Sequence, residues 1–396
     1  MRHNVVMEPL RPFDASSLMS SRLKGKLDRA LMLIADKLKH NIQLFGEQFP
    51  GTNCEGGIWP LTENIDWTTS FWSGQLWLAW QMTGEPLFKE TAQRQVFSFA
   101  RRIEQKIDTD THDLGFLYTL SCVSAWNLTA NACARTSALQ AADALLTRYH
   151  PVARIIQAWG DLSDPQQQGR MIIDCNMNLP LLYWASQQTG DSRYAQAAQA
   201  HAAQAARYLV RPDASTYHTY YFDVNNGEPR FGDTHQGFSD DSCWARGQAW
   251  GIYGFMLSYR HTGNREYLTL AQSLAHYFLN RLPEDGVCYW DLSLTAADTC
   301  RDSSAAAIAV CGLLSLAEAL PLLDEYRTRY EQEALIIMES LTDHYLATTE
   351  DACQGLLKHA VYHMPKGKGV DECCSWGDYY YLEALARLRQ SWVSWW

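Results

Sequence analysis

The sequence predicts an all-α protein, an (α/α)6 toroid whose twelve helices form two concentric rings in a single domain. Three observations predict it. Helical periodicity covers nearly the whole chain, the helical segments come in pairs separated by a glycine, and alternate segments are apolar all round while their partners are amphipathic. The chain has 396 residues, 47% of them hydrophobic. An ordinary core stops growing at roughly 250 to 300 residues, so one domain of this length calls for a ring-like architecture. No linker rich in Pro, Ser or Gly divides the chain. The expected organisation is an N-terminal extension over 1–20 and a toroidal domain over 21–396.

Taken in order, helices are expected over 21–45, 70–82, 86–107, 117–128, 132–148, 175–188, 192–209, 242–261, 265–281, 303–319, 326–347 and 377–392. The alanine-rich run 194–209 has the best helix propensity, and Tyr267, Leu270, Leu274 and Phe278 line one helical face. Gly84, Gly190 and Gly263 each stand where a helix should end and the next begin, marking tight αα-hairpins. Segments 71–80, 176–183, 250–257 and 305–316 are apolar or small on every side, as inner-ring helices must be. Strand patterns are confined to 216–222 and 286–292.

Thirty-three basic against forty-four acidic residues give a net charge of −11. That argues against a nucleic-acid groove and against attachment to anionic lipid. Fifteen tryptophans and twenty tyrosines suit a cleft for a polar ring such as a sugar, or else a Trp-rich core. The opening MRHNVVMEPLRPFD lacks the apolar stretch of about 7 to 15 residues of a secretory signal. Eleven cysteines, with Cys133 and Cys311 in helical runs and Cys373 next to Cys374, do not form a disulfide framework. Reduced thiols in a cytoplasm are the expectation. With no CxxC pair, zinc is not expected. No apolar run reaches the roughly 18 residues of a membrane span.

An acidic residue stands at the start of each inner helix: Asp66, Asp113, Asp174, Asp240 with Asp241, Asp302 and Asp378. Inner helices of a toroid run the same way, so these loops converge on one mouth. About four of the six are expected to be N-caps, each worth about 1 kcal/mol. Asp174 follows an apolar segment, and His112 adjoins Asp113; two carboxylates in one cleft are the minimum for glycosidic chemistry. As an N-cap Asp174 would have a lowered pKa, whereas burial, with Trp159 as a wall, would raise it. Arg246, Trp250 and Gly254, at i, i+4 and i+8, place a guanidinium and an indole on one face with room made by glycine. They read as a binding face, with an ion pair from Arg246 to Asp240 or Asp241 as the structural alternative.

HDLGF at 112–116, IIQAWGD at 155–161, IIDC at 172–175, HQGFSDDSCWARGQAWG at 235–251, RDSSA at 301–305 and the terminal GKGVDE and WGDYYYLEAL resemble the unsaturated glucuronyl hydrolases of glycoside hydrolase family 88. The resemblance runs from Trp67 to the C-terminus. It implies a toroid without metal or cofactor that acts on unsaturated disaccharides released from glycosaminoglycans of chondroitin, hyaluronan or heparin type. It further implies hydration of the C4=C5 enol ether, with Asp174 as general acid and base and Asp113 as the second catalytic carboxylate. His112, Trp159, His218, Gln236, Arg246 and Trp250 are implied in the substrate pocket, with His235 and Lys368 at its edge. Members that prefer sulfated sugars carry an Arg before the Gln of the QG motif and serines before GKGVDE. Here those positions hold His235, His363 and Lys366. An unsaturated rhamnogalacturonyl hydrolase and an inverting glycosidase on the same scaffold are the alternative readings, and a homodimer is an allowed assembly.

Overall fold

The computed structural model describes residues 4–12, 20–165, 167–296, 299–390 and 392–396. Its helices are α1 (Ser20–Phe45), α2 (Thr69–Thr83), α3 (Pro86–Glu104), α4 (Leu114–Tyr118), α5 (Ser124–Thr129), α6 (Ala132–Thr147), α7 (Leu179–Thr189), α8 (Ser192–Tyr208), α9 (Ala245–Thr262), α10 (Arg265–Asn280), α11 (Ser303–Ala319), α12 (Glu325–Ser340) and α13 (Ser375–Arg389). A π-helical turn at Thr119–Val123 joins α4 to α5, so these two are the ends of one helix. With that join the expected twelve helices are present, two of them with irregular ends. Residues Ile173–Met177 form a 3₁₀ turn ahead of α7, and Leu341–Tyr345 a π turn after α12.

The rings close. Helix α2 packs on α4, α4 on α7, α7 on α9, α9 on α11, α11 on α13, and α13 returns to α2. The outer helices cover this cycle, as in the contacts of α3 with α2, α8 with α7, α10 with α9 and α12 with α11. Composition explains the sorting. Every residue of α9 from Ala245 to Ser258 and of α11 from Ser303 to Ala317 is buried, and a helix enclosed on both sides can hold a charge only with a buried partner, as Arg246 does with Asp302. Close approach matters as much as polarity. A Cβ on Gly254 would meet Asn176 Cβ at 2.4 Å, and one on Gly115 would meet Asn178 Cα at 2.3 Å. The room that Gly254 makes is therefore filled by the 3₁₀ turn before α7 and is not left for a ligand.

The three hairpin glycines end their helices in the left-handed conformation, Gly84 at φ 73°, Gly190 at φ 75° and Gly263 at φ 69°. The capping expectation for the inner ring is corrected. Among its helices only α11 has a side-chain cap, from Asp302 to the N–H groups of Ser304 and Ala305. The caps sit instead on the outer ring, where Asn131, Asp191, Asn264 and Asp324 accept from the first turns of α6, α8, α10 and α12. Those helices start in exposed loops, where an Asx side chain and a solvated amide meet freely.

The strand expectation over 216–222 is met by Thr219–Phe222, the middle of an antiparallel sheet with Arg170–Ile172 and Pro229–Asp233. The segment 286–292 makes only isolated bridges, Trp244 to Asp291 and Tyr289 to Arg301. A hairpin of Ala360–His363 with Lys368–Glu372 was not expected. Its second strand, KGVDE, lacks the alternation that marks strands, and tertiary contacts hold it. Among the described residues no helix is long and apolar enough to cross a membrane.

Candidate active site

The N-terminal ends of the inner helices meet at one end of the ring. Asn178, at the start of α7, donates from its amide to Asp113 Oδ1 at 3.4 Å and accepts from the Phe116 amide of α4 at 2.7 Å. Asp113 also accepts from Thr111 Oγ1 at 3.0 Å and lies 3.3 Å from His112 Nε2. The His112 imidazole is buried. Burial pushes its pKa down, but the charge and hydrogen bond of Asp113, with the Cys175 thiol, outweigh this and hold it well above the ordinary value. The pairing with Asp113 favours the protonated ring.

Asp174 comes next. It belongs to the 3₁₀ turn, makes no cap hydrogen bond, and is 9% exposed with Oδ1 buried and unpartnered within the protein. Burial raises its pKa to about 6, against the opposing charge of His112 and with the help of Asp113. The conflict left by the sequence, cap against desolvation, is resolved for desolvation. Trp159, the expected wall, is fixed by three contacts. Its ring packs edge-on to His235 at 5.2 Å and under the Arg170 guanidinium at 4.9 Å, and its backbone pairs with Thr111.

Arg246 lies fully buried beside Trp244 and Trp376, its guanidinium 4.4 and 4.8 Å from their rings. It pairs with Asp302 at 3.3 Å, so the expected partners Asp240 and Asp241 are corrected. It donates to Gln236 Oε1 at 2.6 Å and to the carbonyls of Val361 and Tyr362. A planar fork with five donors reaches all of these at once, which an ammonium cannot do. Arg246 thus fastens the hairpin 360–372 and the Gln236 loop over the mouth. His218 is buried, with Nδ1 2.6 Å from Thr219 Oγ1 and Nε2 3.5 Å from Gln236 Nε2. Burial first, and then nearby positive charge such as that of Arg246, lowers its pKa well below the ordinary value and keeps it neutral.

His235 is exposed at the rim, 2.9 Å from the Tyr221 hydroxyl and 3.8 Å from Asp233. Burial lowers its pKa and Asp233 opposes this. Burial and the charge of Lys366 bring His363 down to about 4. Lys368 is exposed, its ammonium 4.7 Å from the Tyr362 ring. Trp250 stands apart from the other expected pocket residues. It is wholly enclosed, 5.3 Å from the rings of both Phe116 and Tyr380, and offers no face to a sugar. The indoles at the mouth are Trp159 and Trp67, the latter stacked on Trp376 at 5.0 Å and bonded to the Tyr362 hydroxyl at 3.2 Å.

Sequence reasoning missed Asn178, Asp302 as the partner of Arg246, and Arg170. The first carried a signal: Asp174 and Asn178 are four apart across a helix start, a spacing that puts both on one side. The other two are brought in by chain segments that no local pattern connects.

The chain matches the model of glycosyl hydrolase family 88 over residues 47–390. It is 43% identical over 374 residues to an unsaturated chondroitin disaccharide hydrolase of Streptococcus pneumoniae, covering 94% of each chain. The crystal structure of the unsaturated glucuronyl hydrolase of Bacillus sp. GL1, responsible for glycosaminoglycan degradation, superposes with a TM-score of 0.90 at 45% identity, over 92% of this chain and 97% of that one. An Asp-to-Asn mutant of the Streptococcus agalactiae unsaturated glucuronyl hydrolase, complexed with dGlcA-GalNAc6S, gives 0.84 at 39% identity, over 98% and 100%. With its toroid closed around a buried acid and the His112–Asp113 pair, this chain belongs to glycosyl hydrolase family 88 and is a glycoside hydrolase.

Proposed function

We propose that this protein removes the unsaturated uronic acid from the non-reducing end of lyase-derived glycosaminoglycan oligosaccharides by hydrating its C4=C5 double bond. The observation that carries the reading is the Asp174 carboxyl, buried, unpartnered at Oδ1 and raised to about 6. An enol ether is most basic at the carbon β to its oxygen. Asp174 gives its proton to C4, the electron pair of the double bond forming the new C–H bond and leaving an oxocarbenium ion at C5. The resulting carboxylate then takes a proton from water as its oxygen bonds to C5. The hemiketal opens to a ketone, and the hemiacetal left at C1 releases the neighbouring sugar. Asp113, fixed by Thr111, Asn178 and His112, holds sugar hydroxyls and offsets the positive charge at C5. Gln236 and His218 face the substrate as neutral hydrogen-bonding groups.

The neighbouring sugar meets His235, His363, Lys366 and Lys368. Burial keeps both imidazoles largely uncharged near pH 7, which leaves the two lysines, with Arg170 over Trp159, as the cations of the rim. On this reading unsulfated chondroitin and hyaluronan disaccharides turn over at least as fast as 6-sulfated ones. All eleven cysteines are unpaired, which supports a cytoplasmic location. The test is the ultraviolet absorbance of an unsaturated chondroitin disaccharide. It should fall with the wild-type chain and persist with Asp174→Asn; unchanged loss in the variant, or cleavage of saturated glycosides instead, would sink the proposal.

A further inference from the structure

Away from the active-site acid, the fold gathers three thiols that are far apart in sequence. Cys54 lies between α1 and α2, Cys353 in the loop after α12, and Cys373 at the end of the strand Lys368–Glu372. Their Sγ atoms all lie within 4.8 Å of one another, and those of Cys353 and Cys373 are 3.3 Å apart. Cys54 and Cys373 are buried and Cys353 is half-buried. The backbone sets this arrangement. The Cys54 amide donates to the Cys373 carbonyl at 2.8 Å, and the Gln354 amide to the Gly57 carbonyl at 2.8 Å. Lys37 Nζ donates to the carbonyls of Cys353 and Gly355 at 2.9 and 3.0 Å. A Cβ at Gly355 would stand 2.6 Å from Cys373 Sγ and 3.4 Å from Cys54 Sγ, so the loop closes over the sulfurs only because this residue has no side chain.

A disulfide uses two thiols, and here a third is packed against them. Thiolates bound at about 2.3 Å to a tetrahedral d¹⁰ cation lie roughly 3.8 Å from one another. That distance falls within the spread of these sulfurs. We propose that Cys54, Cys353 and Cys373 form a three-thiolate site for one thiophilic cation of the zinc(II) class, with water completing the tetrahedron. The open side exists. A cavity of about 300 Å³ is lined by Cys353 and Cys373 and by His359, Asp371, Glu372 and Lys358. Binding exchanges three S–H protons, released to solvent, for three metal–sulfur bonds. The resulting charge of −1 lies beside the Lys37 ammonium. The ion ties the 51–58 loop and the 351–355 loop to the strand that carries Lys368, and so braces the hairpin over the mouth. This inference does not depend on the proposed substrate.

The test uses the full chain, reduced, stripped with chelator and titrated with cobalt(II) and then zinc(II). Expected are one metal ion per chain by elemental analysis, thiolate-to-cobalt charge-transfer bands that zinc displaces, and a higher melting temperature with zinc. Cys54→Ser and Cys353→Ser should abolish the bands while Cys133→Ser, on the distant helix α6, retains them. If a serine variant fails to fold, the cobalt spectrum of the native chain decides by itself. Absence of stoichiometric metal and of the bands overturns the proposal. So does undiminished uptake by a folded Cys353→Ser chain, or a Cys353–Cys373 disulfide in the isolated chain that on reduction takes up no cobalt.

Discussion

His112 Nε2 lies 3.3 Å from Asp113 Oδ1, two neighbours in the chain paired beside the Asp174 carboxyl, with Asp113 raising the proton affinity of His112. The two charges act on Asp174 in opposite directions, so burial is left to set its proton affinity. Replacing Asp174 by Asn keeps the shape and removes the transferable proton. Loss of one acid–base group of this kind lowers turnover by ~10²–10⁴-fold. The absorbance assay on an unsaturated disaccharide measures it, with circular dichroism checking the fold.

The acid must carry its proton when substrate binds. With Asp174 raised to about 6, kcat/KM is expected to fall as pH rises through about 6. The positive charge of His112 is the largest influence lowering this pKa. In His112→Gln the falling limb should therefore move to higher pH, which a pH–rate profile of the two proteins reads directly.

The same shift has a consequence for stability. A carboxyl whose folded pKa exceeds its unfolded value binds protons preferentially in the folded state. Stability is then full below the unfolded value, near 3.8, and is lost as pH rises through the folded value, about 6. The loss is on the order of 3 kcal/mol. Asp174→Asn removes it. The inactive variant should melt above the wild type at pH 8, and the gap should close on going to pH 4.

Arg246 is a clamp. In Arg246→Ala the Asp302 carboxylate, fully buried, loses its ion-pair partner and the Val361 and Tyr362 carbonyls lose the guanidinium donors. Breaking a buried pair in this way costs about 3–5 kcal/mol. Arg246→Lys restores the charge without the fork and should recover only part of it. Urea unfolding midpoints order the three proteins.

The two expected sugar-facing indoles should separate by their effects. Trp250 fills the space between Phe116 and Tyr380, so Trp250→Phe should cost about 1–3 kcal/mol of stability and leave KM near its original value. Trp159 stands half-buried at the mouth. Trp159→Ala should raise KM by roughly tenfold, a loss of about 1.4 kcal/mol, with a small change in melting temperature. Disaccharide kinetics and thermal melts together distinguish the two.

The helices, their pairing and their two rings were legible from the residue order. A period of 3.6, a glycine at a C-cap and an apolar run enclosed on all sides are local consequences of backbone geometry. Asp174, His112, Asp113 and Arg246 were legible too, because a charge within an apolar inner helix or at its entrance stands out. The partners of these residues were not. Arg246 reaches Asp302 across 56 positions and Val361 across 115, and no spacing rule spans such distances. The irregular turn at Ile173–Met177, the clamped hairpin 360–372 and the enclosure of Trp250 all follow from which helices close the ring.

Sequence alone thus determined which segments become helices and how they pair, since helical periodicity and amphipathicity are written within a turn or two of each residue. Only the tertiary structure decided what each side chain experiences. Whether Asp174 caps a helix or loses its water, whether Trp250 meets a sugar or Tyr380, and whether Cys54, Cys353 and Cys373 meet at all depend on desolvation and packing between elements far apart in the chain. Burial and charge depend on distance in space, and for these residues only the closed ring sets that distance.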